Sequence, residues 1–347
     1  MNLLAVESSC DESALALFDS GVGVTGDWVH SQAALHGEYG GVVPDLASRE
    51  HLRNFPALLR LLPAGFDPAA LAAVVVTRGP GLAGCLALGI ALAKALALAW
   101  GKPLGGVNHL RGHLFSPFIA THAAAPAAFA QNFSALLPHL ALVVSGGNTL
   151  LVELAAGGRV SILAQTVDDA AGEAFDKGAK LLGLPYPGGA LIEKLARDGD
   201  PAKHVFPRGV ADKADPRFSF SGLKTSLRRK LETLGDAALA AALPDICAGY
   251  QDAIVGQLLA KTRAALAGHR FASLGLSGGV ANNTVLRTAF ARLAETAGLP
   301  FLAAAPCHSG DNAAMIAFAA FADAALPTPP ERNWALSFAP SLTIAEA

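Results

Sequence analysis

Three apolar runs in this chain end in turns of Gly, Ser and Asn: LLAVESS (3–9), LALVVSGGNT (140–149) and FASLGLSGGVANN (271–283). Each reads as a buried strand that delivers a tight turn. The third leads into TVLRTAFARLAETAG, which has helical spacing, so backbone N–H groups of the turn and the helix start can face an anion. A strand at 72–77, an apolar helix at 82–100 and a short strand near 104–108 add alternating elements, and alternation of strand and helix means an α/β fold. Similar turns at such distant places predict one cleft between two lobes. At 347 residues the chain also exceeds what one core usually organises.

Burial is not limiting, because 52% of the residues are apolar and 16% charged, which excludes disorder as the dominant state. The 82–100 run carries a single charge, Lys94, and is long enough to raise the question of a membrane span. Its Gly-rich opening, the internal lysine and the strand before it predict a helix buried in an α/β protein instead. The opening MNLLAVESSCDES places Glu7, Asp11 and Glu12 where a signal peptide would be apolar. Cys10, Cys85, Cys247 and Cys307 form no CxxC pair, so a reducing, cytoplasmic setting is expected. A formal charge of −2 leaves no global basic field, and any nucleic-acid partner must meet a local patch. One runs from Glu193 to Lys230, with ten Lys/Arg against five acids; a solvated face of mixed charge is the alternative.

TRGPGLAG (77–84) satisfies G-x-G-x-x-G after a strand and before a helix. A dinucleotide site also needs an acid about 20 residues on, and no Asp or Glu occurs from Pro68 to Val152. A second match, GVGVTG at 21–26, reads as a hairpin turn. Serine-hydrolase chemistry is not expected, nor is P-loop phosphoryl transfer, since no Walker A pattern occurs.

His109 and His113 stand four apart, which on a helix puts both imidazoles on one face within reach of one metal ion, although chance gives such pairs too. A zincin protease would need Glu at 110, where this chain has Leu110. Asp311, in CHSGDNAAMIA, is the candidate third ligand and is equally suited to cap the helix that follows. Asp11 and Glu12, directly after the first strand, either overhang the cleft or sit on a hairpin rim.

Together these segments resemble the tRNA N6-adenosine threonylcarbamoyltransferase family, of the two-lobed actin-like, sugar-kinase and Hsp70 (ASKHA) fold with its active site in the inter-lobe cleft. The resemblance rests on ESSCDES, HGEYGGVVPDLASREH (36–51), TRGPGLAGCLALG (77–89), NHLRGH (108–113), VVSGGNT (143–149), DDAAGEAFDKGAKLLGLPYPGG (168–189), FSFSGLKT (218–225), GGVANN (278–283) and SGDNAAMI (309–316). It implies an acyltransferase that moves a threonylcarbamoyl group from threonylcarbamoyl-AMP to N6 of the adenosine beside the anticodon, releasing AMP. It implies His109, His113 and Asp311 as ligands of one divalent metal, usually iron (Fe2+), with Zn2+ or Mg2+ also known in the family. Val144, Ser145, Gly146, Gly147, Asn148, Asp176, Gly189, Glu193 and Asn283 match positions that contact the adenylate. Asn148 departs from the family's usual His; it can donate a hydrogen bond but cannot carry a proton. Asp11 is the candidate proton acceptor from the amine. The implied partners are tRNA, a paralogous subunit and a small ATPase, with no membrane. An N-terminal lobe over 1–118, completed by 320–347, and a second lobe over 119–319 with a helical, basic insertion around 193–245 are expected, the Ala-rich 119–139 stretch serving as a connection or surface insertion. A kinase or ATPase of the same fold, or a non-catalytic partner subunit, are the rival readings; two histidine ligands speak against Mg2+ and hence against the first, and their presence speaks against the second.

Overall fold

The computed structural model describes residues 1–210, 215–326 and 333–347. It divides into two compact units, 1–137 with 155–160 and 304–347, and 138–154 with 161–303.

The first unit opens with β1 (Asn2–Glu7), β2 (Glu12–Asp19) and β3 (Gly23–Ser31), an antiparallel meander, and adds β4 (Ala73–Gly79) and β5 (Leu104–Asn108) parallel to β1 in the order β3-β2-β1-β4-β5. Strands covered on both faces read as continuous apolar runs, and β1 and β4 are buried along nearly their whole length for that reason. Helices α1 (Ala33–Gly37) and α2 (Pro44–Leu59) come between β3 and β4 and α3 (Ala83–Trp100) between β4 and β5, and α3 lays Ile90, Ala93 and Ala97 into a core shared with Leu4, Val6, Phe55 and Val76. By length and composition α3 could cross a membrane, and 33% of it is buried, along one stripe.

Next come α4 (His109–Phe115), α5 (Ile119–Ala124) and α6 (Phe129–Ala135). The Ala-rich stretch is thus helical, not an irregular connection. Phe129 and His122 are buried among Phe18, Phe318 and Phe321, with ring centroids 5.1–5.8 Å apart for the Phe129 and Phe321 contacts to His122 and to each other. This aromatic cluster holds 119–137 on the first unit, which therefore extends past the expected limit at 118.

The second unit repeats the plan. Strands β6 (His139–Val144), β7 (Thr149–Leu154) and β8 (Val160–Gln165) precede α7 (Ala171–Leu181), α8 (Gly189–Ala196), α9 (Ser221–Glu232) and α10 (Asp236–Gly268). Then follow β9 (Ser273–Ser277), α11 (Thr284–Ala297) and β10 (Phe301–Ala303), giving the sheet order β10-β9-β6-β7-β8. Read from β8, this is the order of the first sheet, with β6 antiparallel to β7 and parallel to β9 as β1 is to β2 and β4. Afterwards α12 (Pro306–Ser309) and α13 (Ala313–Ala322) return to the first unit, so residues 304–319 belong there and not to the second lobe. Of the expected completing segment 320–347, residues 327–332 lie outside the described residues.

His139 begins β6 fully buried, its Nδ1 2.7 Å from Ser273 Oγ. Burial pushes its pKa down to about 3. The folded value lies below the unfolded one, so the unfolded chain binds the extra proton and stability is lost as pH falls from 6.5 towards 3. Between pH 7 and 5 this group should cost about 2 kcal/mol. Urea unfolding of the protein and of His139→Gln at both pH values checks it: the variant should lose less stability on acidification, and equal losses would contradict the assignment.

Candidate active site

Asn108 sets the first part of the site. Its side-chain oxygen caps α4 by accepting from the N–H groups of Leu110 and Arg111 at 2.9 and 3.4 Å, while its amide nitrogen donates to Thr343 and Glu346 carbonyls at 2.7 and 2.8 Å. The helix so fixed begins at His109, and the four-residue spacing brings the His109 and His113 rings to a centroid distance of 4.8 Å, nearly perpendicular. From the other end of the chain, Asp311 Oδ1 reaches His113 Nε2 at 3.1 Å and His109 Nε2 at 3.4 Å. One ligand atom from each of the three lies within 4.8 Å of the others. The capping alternative for Asp311 falls away, because the cap of α13 is Asn312, whose side chain accepts from Met315 N–H at 2.8 Å.

Sequence reading left Glu7 without a role. It is fully buried at the end of β1, with Oε2 3.1 Å from His109 Nδ1 and accepting from Thr77 Oγ1–H at 2.5 Å, while Oε1 accepts from Ser9 N–H at 2.5 Å. A carboxylate on Nδ1 fixes the ring orientation and leaves Nε2 to face Asp311 and a metal. Burial works against the charged form of Glu7, but the charge and hydrogen bond of His109 bring its pKa below the usual carboxylate range. Burial likewise opposes Asp311 ionisation and is outweighed by His109 and then His113, so this carboxyl is held far down. For His109 burial is overcome by Asp311 and Glu7, which raise its pKa well above the ordinary value. Two imidazole nitrogens and one carboxylate oxygen, oriented in this way, fit a divalent transition metal.

Asp11 and Glu12 sit where β1 turns into β2, on the hairpin rim of the same unit, and Asp11 is buried. Burial, then the charges of Asp311 and Asp11, push Glu12 up to about 9, and the two side chains are hydrogen-bonded. Glu12 is therefore held protonated at neutrality. Cys10 beside them is pushed up, by burial first and then by the Asp11 charge, and is no thiolate.

The second unit holds a cavity of about 390 Å³ lined by Gly146, Asp176, Gly189, Glu193, Gly279 and Asn283 among others. Gly146 brings one residue of the β6–β7 turn to its wall; in that turn Ser145 N–H donates to Asn148 O at 2.8 Å and Asn148 N–H to Ser145 Oγ at 3.2 Å, leaving Gly146 and Gly147 exposed. The start of α7 lies against this turn: a Cβ on Gly172 would sit 2.5 Å from Ser145 O and 2.8 Å from Gly146 Cα. Opposite, Gly278 takes φ +91°, a conformation suited to glycine. Asp176 Oδ1 accepts from Gly188 and Gly189 N–H at 2.8 and 3.3 Å, and Glu193 Oε1 accepts from Thr284 N–H at 3.0 Å and Oγ1–H at 2.5 Å. Asn283 caps α11 through Leu286 N–H at 2.9 Å and donates to Gln251 at 2.7 Å. Val144, by contrast, buries its side chain in the core, and Val144, Ser145, Gly147 and Asn148 are not among the residues that line the cavity.

GLSGG (275–279) has the spacing of a serine-hydrolase elbow. Ser277 is fully buried at the end of β9, and α11 starts only at Thr284, so this serine offers no exposed nucleophile.

In the basic stretch five of the nine described cations are paired, Arg197 with Glu193 at 4.0 Å among them. Lys203 meets Asp245 at 2.9 Å, Arg217 meets Asp215 at 2.6 Å, Arg228 meets Glu232 at 3.7 Å, and Arg208 meets Asp252. Asp212 and Lys213 lie outside the described residues.

The profile of the TsaD family, tRNA N6-adenosine threonylcarbamoyltransferase, matches residues 23–318. The chain belongs to that family. A tRNA N6-adenosine threonylcarbamoyltransferase of Anaeromyxobacter dehalogenans is 49% identical over 320 residues, 91% of this chain and 92% of that protein. One of Geotalea uraniireducens is 46% identical over 319 residues, covering 91% and 90%, and one of Burkholderia mallei is 43% identical over 353 aligned positions, covering 99% of each. These relatives are named as transferases, and the chain is an enzyme of that family. Among solved structures, the activator of the 2-hydroxyisocaproyl-CoA dehydratase from Clostridium difficile matches with a TM-score of 0.50 at 13% identity, over 92% of this chain and 94% of that one. HypF of T. kodakarensis matches with a TM-score of 0.53 at 15% identity, over 92% and 47%. At such identity the likeness shows the fold alone, and it is the ASKHA fold that the resemblance implied.

Proposed function

We propose that this chain transfers the threonylcarbamoyl group of threonylcarbamoyl-AMP to N6 of the adenosine beside the anticodon of tRNA, with AMP as leaving group. What carries the reading is the convergence of His109, His113 and Asp311, backed by Glu7, in a chain of this family. The donor set of two nitrogens and one oxygen suits Fe2+ or Zn2+ better than Mg2+. When bound, the metal supplies a Lewis acid for the carbonyl or phosphate oxygen.

An exocyclic adenine amine is a poor nucleophile because its lone pair is delocalised into the ring, so the donor must arrive activated, as a mixed carbamoyl–phosphoryl anhydride. N6 forms a bond to the carbonyl carbon, the carbon–oxygen bond to phosphate breaks, and the N6 proton passes to a base, for which we assign Asp11. The exposed Gly146, Gly147 and Gly279 offer backbone N–H groups to developing negative charge. Asp176 and Glu193 line the cavity as acceptors for the hydroxyls of the adenylate. The target lies in a single-stranded loop, where a base is presented without melting a duplex. A paralogous subunit and a small ATPase complete the system in the cytoplasm.

Incubating the protein with threonylcarbamoyl-AMP and unmodified tRNA, with and without those partners, tests the reading by mass spectrometry of the nucleosides. N6-threonylcarbamoyladenosine is expected, and its absence with every component present would overturn the proposal. Asn148 is expected to hydrogen-bond the adenylate and neither to bind metal nor to carry a proton. Losing that bond in Asn148→Ala should cost about 0.5 to 3 kcal/mol in kcat/KM, with metal content and the shape of the pH profile unchanged. Metal loss in this variant would show that the ligand set is incomplete.

A further inference from the structure

A second cavity, of about 270 Å³, lies on the second unit away from the adenylate pocket and is lined by His204, Phe206, Ser226, Arg229, Lys230 and Thr233. One wall is the 200–206 segment, which is fastened to α10: Asp200 N–H donates to Asp245 Oδ1 at 2.7 Å, Lys203 pairs with Asp245 at 2.9 Å, and buried Phe206 meets Tyr250 edge-on at 5.6 Å. The facing wall is the last turn of α9.

Among the described residues its two cations, like Lys194 and Lys224, are outside the ion pairs of the basic stretch, and they alone of these four line a cavity. Lys203, Arg208, Arg217 and Arg228 each have a carboxylate partner, whereas Arg229 and Lys230 have none among the described residues. His204 Nδ1 is buried and has no hydrogen-bond partner among the described residues. Ser226 adds a hydroxyl at the same place, whereas the Thr233 hydroxyl donates to the Lys230 carbonyl at 2.7 Å. Cations in the last turn of a helix also answer its dipole, which amounts to about half a negative charge; two full cations exceed that and leave the cavity positive.

We propose that this cavity is a phosphate-binding site, with Arg229 and Lys230 as a cationic clamp and His204 and Ser226 as hydrogen-bonding groups. Its ligand chemistry is a tetrahedral phosphate oxyanion. The source, resting on the tRNA reading above, is one backbone phosphodiester of the RNA, and free inorganic phosphate is the alternative source. Arg and Lys serve that ligand as fork and point charge respectively. The paired Arg228 is excluded from the clamp, so the two neighbouring arginines should behave differently.

The test compares the full-length protein, Arg229→Gln/Lys230→Gln and Arg228→Gln, with thermal unfolding confirming that all three are folded. Binding of unmodified tRNA is measured over a series of salt concentrations, and inorganic phosphate is titrated while the His204 imidazole is followed by NMR. The double variant should bind tRNA roughly tenfold more weakly at low salt, with the slope of log K against log salt reduced by about one, as for a single lost phosphate contact. Arg228→Gln should keep the wild-type slope, and phosphate should move the His204 signals in the wild-type protein but not in the double variant. Equal losses in both variants would replace the site by a diffuse field and overturn the proposal. A phosphate response without any change in tRNA binding would keep the site and reject the RNA as its source. Were the wild-type protein not to bind tRNA at all, the functional reading would fall, and the phosphate titration would still decide the site: an unmoved His204 signal overturns it.

Discussion

Asp311→Asn should strip the metal from the protein and reduce threonylcarbamoyl transfer on the order of a thousandfold, about 4 kcal/mol of transition-state stabilisation. Asp311 Oδ1 is the atom that both imidazoles face, at 3.1 and 3.4 Å, so the amide leaves two nitrogens with no anionic partner. Metal content by mass spectrometry, and the rise in Tm that added metal gives the wild-type protein, should both vanish in the variant. The folded structure should persist, because the cap of α13 is Asn312 and remains. The same geometry sets a pH dependence. Protonated His109 cannot be a ligand, and Asp311 and Glu7, overcoming burial, raise its pKa in the metal-free protein above the ordinary 6.5. Metal affinity should therefore increase as pH rises through that raised value, with release of a proton on binding. Full metal retention and full activity in Asp311→Asn would remove this carboxylate from the site.

Glu7 carries the second large effect. Alanine there leaves the His109 imidazole, the Thr77 hydroxyl and the Ser9 N–H without their buried acceptor. At roughly 1 to 3 kcal/mol for each buried group left unsatisfied, the fold itself should lose several kcal/mol. Glu7→Gln is the sharper test, since it keeps the volume and one acceptor oxygen but removes the charge that orients and polarises His109. Loss of such a supporting carboxylate typically weakens metal binding about 10- to 100-fold. Glu7→Gln should show that loss in a metal titration while Tm in the metal-free state changes far less than in Glu7→Ala. If Glu7→Gln binds metal as the parent does, the hydrogen bond to His109 has no bearing on the metal.

The parts of this account that were legible in the sequence are those where local pattern and chemistry coincide. The buried strands at 3–9 and 140–149 and the turns after them follow from apolar runs closed by Gly and Ser, and the His109–His113 pair follows from the pitch of a helix. Less legible were the consequences of folding at a distance. Nothing near Glu7 in sequence names Thr77 or His109 as its partners, 70 and 102 residues away. Asp168 was quoted within a motif without a role, yet its carboxylate accepts from Ser219 Oγ–H at 2.5 Å, Phe220 N–H at 2.7 Å and Ser221 Oγ–H at 2.7 Å, holding the entry to α9. The 119–137 segment misled because alanine carries little periodic signal, and the aromatic residues that fasten it, Phe18, Phe318 and Phe321, come from both ends of the chain. Charge counting over 193–230 saw ten cations but could not see which already had partners.

A single-turnover experiment with threonylcarbamoyl-AMP labelled in the carbamoyl carbon, unmodified tRNA and the metal-loaded protein tests the central claim most directly. The account predicts that label enters tRNA and AMP is released in equal amounts, and that Asp311→Asn slows both together. AMP release with no label in tRNA, or equal rates for the two proteins, would contradict it.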